Sequence, residues 1–305
     1  MYMNVIINQM IVLFILMAAG FALGKAKILT PDSNKAITKL ILCVALPGTI
    51  LNSVFENEMA VTIEDTFFFL LMSVISMAIA FIIAIPSIRL LGGKKSDRGL
   101  LTFMTVFSNS AFMGFPISIA IFGITAAFYV SLFTFVFNIL AFSIGIAMIS
   151  GKGGKFDPKL LLNPAFAIAI IAVPIALLNL SPPAVIAETV RIAGSITTPG
   201  AMIVIGSILA YVPLKTIFSE WRIAPVTLIK LIVVPIVTWL ILRLFITNEL
   251  QLGVLVVIAG MPVAALASML AIEYDGNEPI ASAGVFLSTV LCVITVPLLV
   301  YFLLM

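Results

Sequence analysis

The sequence predicts an all-α polytopic membrane protein: ten transmembrane helices arranged as two inverted five-helix repeats, with proline-broken crossing helices 4 and 9. Three observations predict it. Of the 305 residues, 63% are hydrophobic and only 10% are charged, whereas roughly a quarter carry charge in a soluble domain. Ten mostly apolar stretches approach or exceed the length of about 20 residues that a helix needs to cross the hydrocarbon. Three prolines recur in the same order in both halves of the chain.

The first half, residues 1–150, holds five of these stretches. Span 1 (5–24) begins at Val5 with no basic region before it and no small-residue cleavage site after it. It reads as a true span, not a removable leader. Span 2 (36–54) contains Leu46-Pro47-Gly48, and span 3 (66–91) contains Pro86. Span 4 (99–122) holds FSNSAFMGFPISIA, where Asn109, Gly114 and Pro116 oppose the helix that the apolar residues favour. Span 5 (126–150) carries Asn138. A short cytoplasmic connector, GKGGKFDPK at 151–159, leads to the second half, 160–305. Its spans are 160–180, 190–211 with Pro199-Gly200, 222–246 with Pro235, 252–272 with Gly260-Met261-Pro262, and 279–303 with Ser288 and Thr289. The loops are short, so no soluble domain is expected.

Lys and Arg set the orientation. The loops after spans 1, 3, 5 and 7 carry Lys25, Lys27, Lys35 and Lys39, then Arg89, Lys94, Lys95 and Arg98, then Lys152, Lys155 and Lys159, then Lys215, Arg222 and Lys230. The loop after span 2 has Glu56, Glu58, Glu64 and Asp65 and no basic residue. Odd-numbered loops are therefore expected to be cytoplasmic, with both termini outside. The acidic loop after span 9 (Glu273, Asp275, Glu278) also lies inside, since acidic residues contribute little to the rule. Cys43 and Cys292 fall within spans and read as small core residues, with neither a disulfide nor a metal site expected.

The repeat rests on Pro47 with Pro199, Pro86 with Pro235, and Pro116 with Pro262. Lys39 and Arg191 each stand eight residues before the first member of their half. Prolines are common in membrane helices and some align by chance; two homologous halves are the alternative. Five spans per half is odd, so the second half crosses upside down, the inverted topology typical of secondary transporters. Pro47, Gly48, Pro199 and Gly200 are the expected crossover or hinge residues.

Pro116 lacks an N–H and clashes with the carbonyl of Phe112, and Pro262 does the same to that of Ile258. Gly114 and Gly260, two residues upstream, relax the backbone. Each span is expected to unwind there, with half-helices starting at Pro116 and Pro262. Their N-terminal amides would suit a carboxylate. A broken span must be buried in protein or line a wet cavity. The expected pocket gathers Ser108, Asn109, Ser110, Gly114, Pro116, Gly260, Met261, Pro262, Asn138, Ser288 and Thr289. Asn109 could instead serve as interhelical glue. Ser288 and Thr289 could bond back to their own helix, and Lys39 and Arg191 could snorkel.

Enzyme chemistry fares poorly. There is no histidine, which removes Ser–His hydrolysis and His-zinc sites. No GxxxxGK[ST] phosphate loop appears, and no acidic pair lies mid-span. Glu273 is the nearest candidate for a proton relay. No cofactor is expected, and coupling to Na+ or H+ stays open beside a uniport. A channel or a non-transporting membrane protein are the rival readings.

The chain resembles the auxin efflux carrier family, which includes plant PIN-FORMED exporters and bacterial permeases for malonate or malate. Leu46-Pro47, Asn109 with Gly114 and Pro116, Asn163-Pro164, Lys230 with Pro235, Met261-Pro262, and Ser288-Thr289 with Pro297 carry the resemblance, in that order along nearly the whole chain. It implies a scaffold and a transport domain, elevator-type movement, a small organic anion as substrate, and often a homodimer. The chain lacks the long loop of the plant exporters between spans 5 and 6, and span 9 has no Asn to match Asn109.

Overall fold

The computed structural model describes the chain apart from residues 1, 56–61, 93, 151–163, 179, 181, 213–219, 275 and 305. The connector 151–159 therefore lies outside the described residues, as do Glu56, Glu58, Asn163, Lys215 and Asp275. Among the described residues the chain is all-helical, with no strand beyond one isolated β-bridge. The helices are α1 (Tyr2–Lys25), α2 (Pro31–Phe55), α3 (Ile63–Leu91), α4 (Lys95–Val106), α5 (Ser110–Phe122), α6 (Ala126–Ser150), α7 (Pro164–Leu177), α8 (Ala184–Leu209), α9 (Ile223–Leu242), α10 (Glu249–Ala259), α11 (Leu266–Glu273) and α12 (Glu278–Leu303). Six of them (α2, α3, α6, α8, α9 and α12) are long and apolar enough to cross a membrane.

Proline accounts for much of the local irregularity. Three single π-turns, Ile41–Ala45, Ser110–Gly114 and Ile229–Val233, each end two residues before a proline: Pro47, Pro116 and Pro235. The carbonyl with which a proline clashes lies four residues back, at Cys43, Phe112 and Leu231. Each of these sits at the centre of its π-turn. Widening the helix there carries the carbonyl clear of the ring without ending the helix. Pro116 is thus absorbed at the first turn of regular α-helix in α5, and the expected unwinding at Gly114–Pro116 does not occur. Within each proline pair the two members behave differently. Pro86 is carried inside α3, while Pro262 lies in an extended segment.

The chain divides into two compact units, 1–71 with 111–135 and 160–211, and 72–110 with 136–159 and 212–305. Each draws on both halves of the sequence. In the first unit, α1 packs along α8 so closely that glycine is required. A Cβ on Gly20 would lie 2.1 Å from the Ile203 carbonyl oxygen, and one on Gly206 would lie 1.8 Å from that of Met17. Gly20 and Gly24 are four apart, the small-xxx-small spacing that lets membrane helices touch backbone to backbone. Lys25 Nζ donates to the Ala210 carbonyl at 2.7 Å, and Asn34 Nδ2 to Ser207 Oγ at 2.9 Å.

The expected hinge residues belong to this unit. Pro47 and Gly48 lie inside α2, and Pro199 and Gly200 in the first turn of the second part of α8. A Cβ on Gly48 would meet the Gly194 backbone nitrogen at 2.8 Å, so its role is a close helix approach. Cys43 is exposed, not a core residue, while Cys292 is buried. Lys39 is exposed, and Arg191 pairs with Glu188 one turn earlier at 2.6 Å.

Candidate functional site

The site lies within the second unit, where two helices stop short. Helix α4 ends at Val106, and Phe107 turns extended at φ −88°, ψ 110°. Helix α10 ends at Ala259, and the chain stays non-helical until α11 begins at Leu266. The two interruptions pair with each other. Asn109 N–H donates to the Pro262 carbonyl at 2.8 Å, and Ala264 N–H to that of Phe107 at 2.9 Å. Ser108 and Val263 thereby form a one-residue antiparallel bridge. Backbone groups in an apolar interior must find partners, and here each broken segment satisfies the other.

Helix α12 fastens the pair. Val263 N–H donates to Ser288 Oγ at 3.0 Å, and that hydroxyl donates back to the Val285 carbonyl at 3.1 Å. Ser288 is fully buried. Ser288→Ala should therefore strand a buried amide, at about 1–3 kcal/mol. A thermal-melting comparison with Thr289→Val checks this, because the Thr289 hydroxyl donates to the Val285 carbonyl of its own helix and holds no loop amide among the described residues. Phe107 is held from several sides: Phe103 stacks on it at 4.3 Å between centroids, and Phe137 and Phe81 meet it edge-on at 5.4 and 5.9 Å.

Lys230, which the orientation count groups with the basic loop residues and the resemblance places in span 8, stands in the π-turn of α9 with no solvent exposure. Its Nζ donates to Ser108 Oγ at 2.5 Å and to the Ala259 carbonyl, the last of α10, at 3.0 Å. The signal was present: a lysine eight residues into an apolar run is expensive in a membrane and marks function by default.

The structure thus brings together Ser108, Asn109, Ser110, Gly260, Met261, Pro262 and Ser288, all buried. Asn138 lies half-buried near the end of the regular part of α6, and among the described residues no bond links its side chain to these segments. Gly114 and Pro116 belong to the first unit. The amides of Asn109, Ser110, Val263 and Ala264 are all bonded within the protein. The half-helices also start elsewhere than expected, at Ser110 and Leu266 instead of Pro116 and Pro262.

The paired double interruption encloses a fully buried lysine in a chain of long apolar helices, and comparison with known proteins identifies the family. Residues 5–300 match the model of the family described as membrane transport protein. The chain belongs to that family, the auxin efflux carriers. It is 26% identical over 293 residues to an uncharacterized transporter of Methanothermobacter thermautotrophicus, covering 93% of this chain and 94% of that one. It is 22% identical over 306 residues to the uncharacterized transporter YfdV of Escherichia coli K12, covering 97% and 96%. A proposed malonate transporter of Rhizobium meliloti is 27% identical over 210 residues, 65% of each chain.

Proposed function

We propose that this protein is a secondary transporter that moves a small organic anion, a carboxylate, across the cytoplasmic membrane by elevator-type alternating access. One observation carries the reading: Asn109, Ser108 and Ser288 gather with the Lys230 amine where two interrupted helices pair. An anion needs a compensating charge in a medium that excludes water. The loop amides are already bonded, so an ammonium at Lys230 supplies that charge and Asn109 supplies orientation. Ten spans, two inverted repeats at 1–150 and 160–305, and spans 4 (99–122) and 9 (252–272) crossing near the midplane complete the reading. So do a homodimer and outward-facing termini. The two compact units, each assembled from both halves, are the partition that a two-body movement requires. Malonate is the first substrate to test, from the name of the R. meliloti relative.

The test uses purified protein in liposomes, with a panel of mono- and dicarboxylates and with sodium and pH varied separately. Saturable counterflow of at least one acid is expected, and a non-saturating flux would favour a channel. Asn109→Ala should lower kcat/KM about tenfold or more, since a hydrogen bond to a charged group contributes about 1.5–3 kcal/mol. Unchanged saturable transport in that variant removes Asn109 from the site.

A further inference from the structure

Lys230 has oxygen partners of the kind an alkali cation takes. Ser108 Oγ lies 2.5 Å from its Nζ and the Ala259 carbonyl oxygen 3.0 Å. They come from the two different interrupted segments. Ala259 closes α10, and the last carbonyls of a helix lack intrahelical partners and carry the negative end of its dipole. Hydroxyl and carbonyl oxygens are the usual ligands of hard cations. Among the described residues no carboxylate lies within ion-pair distance of Lys230, so its partners are neutral dipoles, as in a carbonyl-lined ion site. The π-turn of α9 sets the stem, and full burial seals the contact from water.

We propose that Lys230 is a resident cation. Its ammonium, tethered to α9, does what a bound sodium ion would do between Ser108 and Ala259: it draws the two broken segments together and fixes Asn109 beside them. Lys230 is in this sense a positioning residue, and the protein needs no separately bound monovalent cation there. The consequence for flux rests on the transporter reading above, but the structural assignment does not.

The test compares full-length wild type with Lys230→Ala, Lys230→Met and Lys230→Arg in detergent, in chloride salts of sodium, choline or methylammonium at equal ionic strength. Wild-type melting should not respond to exchanging sodium for choline. Lys230→Ala opens a space lined by Ser108 Oγ and the Ala259 carbonyl. It should melt lower and recover in part with sodium or methylammonium, but not with the bulkier choline. Lys230→Met fills the space without charge and should stay low in every salt, while Lys230→Arg should retain more stability than Met. A wild type stabilised by sodium overturns the proposal, as does a Met variant that melts like wild type, or an Ala variant folded but indifferent to small cations. If Lys230→Ala does not fold, the wild-type and Met arms still decide. Counterflow of malonate in liposomes is the separate arm. Wild type should exchange equally in sodium and choline, and faster exchange in sodium overturns the proposal. If melting behaves as expected but no acid in the panel exchanges, the lysine assignment stands and the transport reading falls.

Discussion

Gly206→Val should yield almost no monodisperse protein in detergent, and Gly206→Ala should melt well below wild type. The cause is geometric. A methyl group on residue 206 would sit 1.8 Å from the Met17 carbonyl oxygen and 2.8 Å from the Phe21 nitrogen. Those are backbone atoms, so no rotamer relieves the overlap and α1 must move off α8. Overpacking typically costs about 1–3 kcal/mol, and contact with backbone puts this site at the upper end. Alanine recovers about 1 kcal/mol through its helix propensity over glycine, which leaves a net loss near 2 kcal/mol for Ala. Valine has a smaller offset and two further methyl groups to place. Neighbouring bonds would suffer too, because Lys25 to Ala210 and Tyr211 Oη to the Leu29 carbonyl, 2.6 Å, span the same end of the unit. Gly200→Ala is the control. The nearest atoms to its Cβ would be side-chain atoms, of Ile41 at 3.1 Å and Ile196 at 3.8 Å, and side chains can yield. Size-exclusion profiles and melting midpoints read the difference, and a Gly206→Ala protein as stable as Gly200→Ala would refute the close contact.

The same glycines show what a sequence reading sees and misses. Apolar length and proline order located the helical segments and both interrupted regions, because bilayer thickness and the missing proline N–H act on the local sequence. The position of the breaks was less legible. Pro116 had a cheaper escape through a π-turn than through unwinding, and the unwinding falls at Phe107–Asn109, where pairing with residues 262–264 takes up the backbone groups. That partner is over 150 positions away in the chain, and no local rule predicts it. Lys230 is read in two conflicting ways for a different reason: it carries the family resemblance with Pro235, yet counting basic residues for orientation treats every lysine near a span end as a loop lysine. Its position inside IAPVTLIKLIVVPIV argued otherwise. The Gly20-x-x-x-Gly24 spacing was likewise readable beforehand as a helix contact.

Asp97→Ala should lower the melting midpoint by several degrees and slow exchange, although Asp97 is not among the residues gathered at the paired segments. Asp97 sits in the first turn of α4 and Arg222 just before α9. Arg222 Nη2 donates to Asp97 Oδ2 at 3.0 Å, with both side chains only 7% exposed. The pair ties together the starts of the two helices that lead to Ser108 and to Lys230. Removing one member of a buried pair costs about 3–5 kcal/mol. Glu220 also binds Arg222, its Oε1 accepting from Nε at 2.6 Å, so about 3 kcal/mol is the expectation here. Replacing both Asp97 by Ala and Arg222 by Met should recover part of the loss, since both deeply buried charges are then gone and the Glu220 carboxylate left behind is 21% exposed and can reach water. The pH dependence has a definite sign. The hydrogen bond from Arg222 is the largest cause holding the Glu220 carboxyl below its ordinary value. A depressed carboxylate stabilises the fold above its unfolded value and loses that contribution as pH falls through its folded value. Wild-type melting should therefore decline as pH drops below the usual carboxylate range. In Arg222→Met the decline should be shallower, and an equally steep one would remove Arg222 as its source.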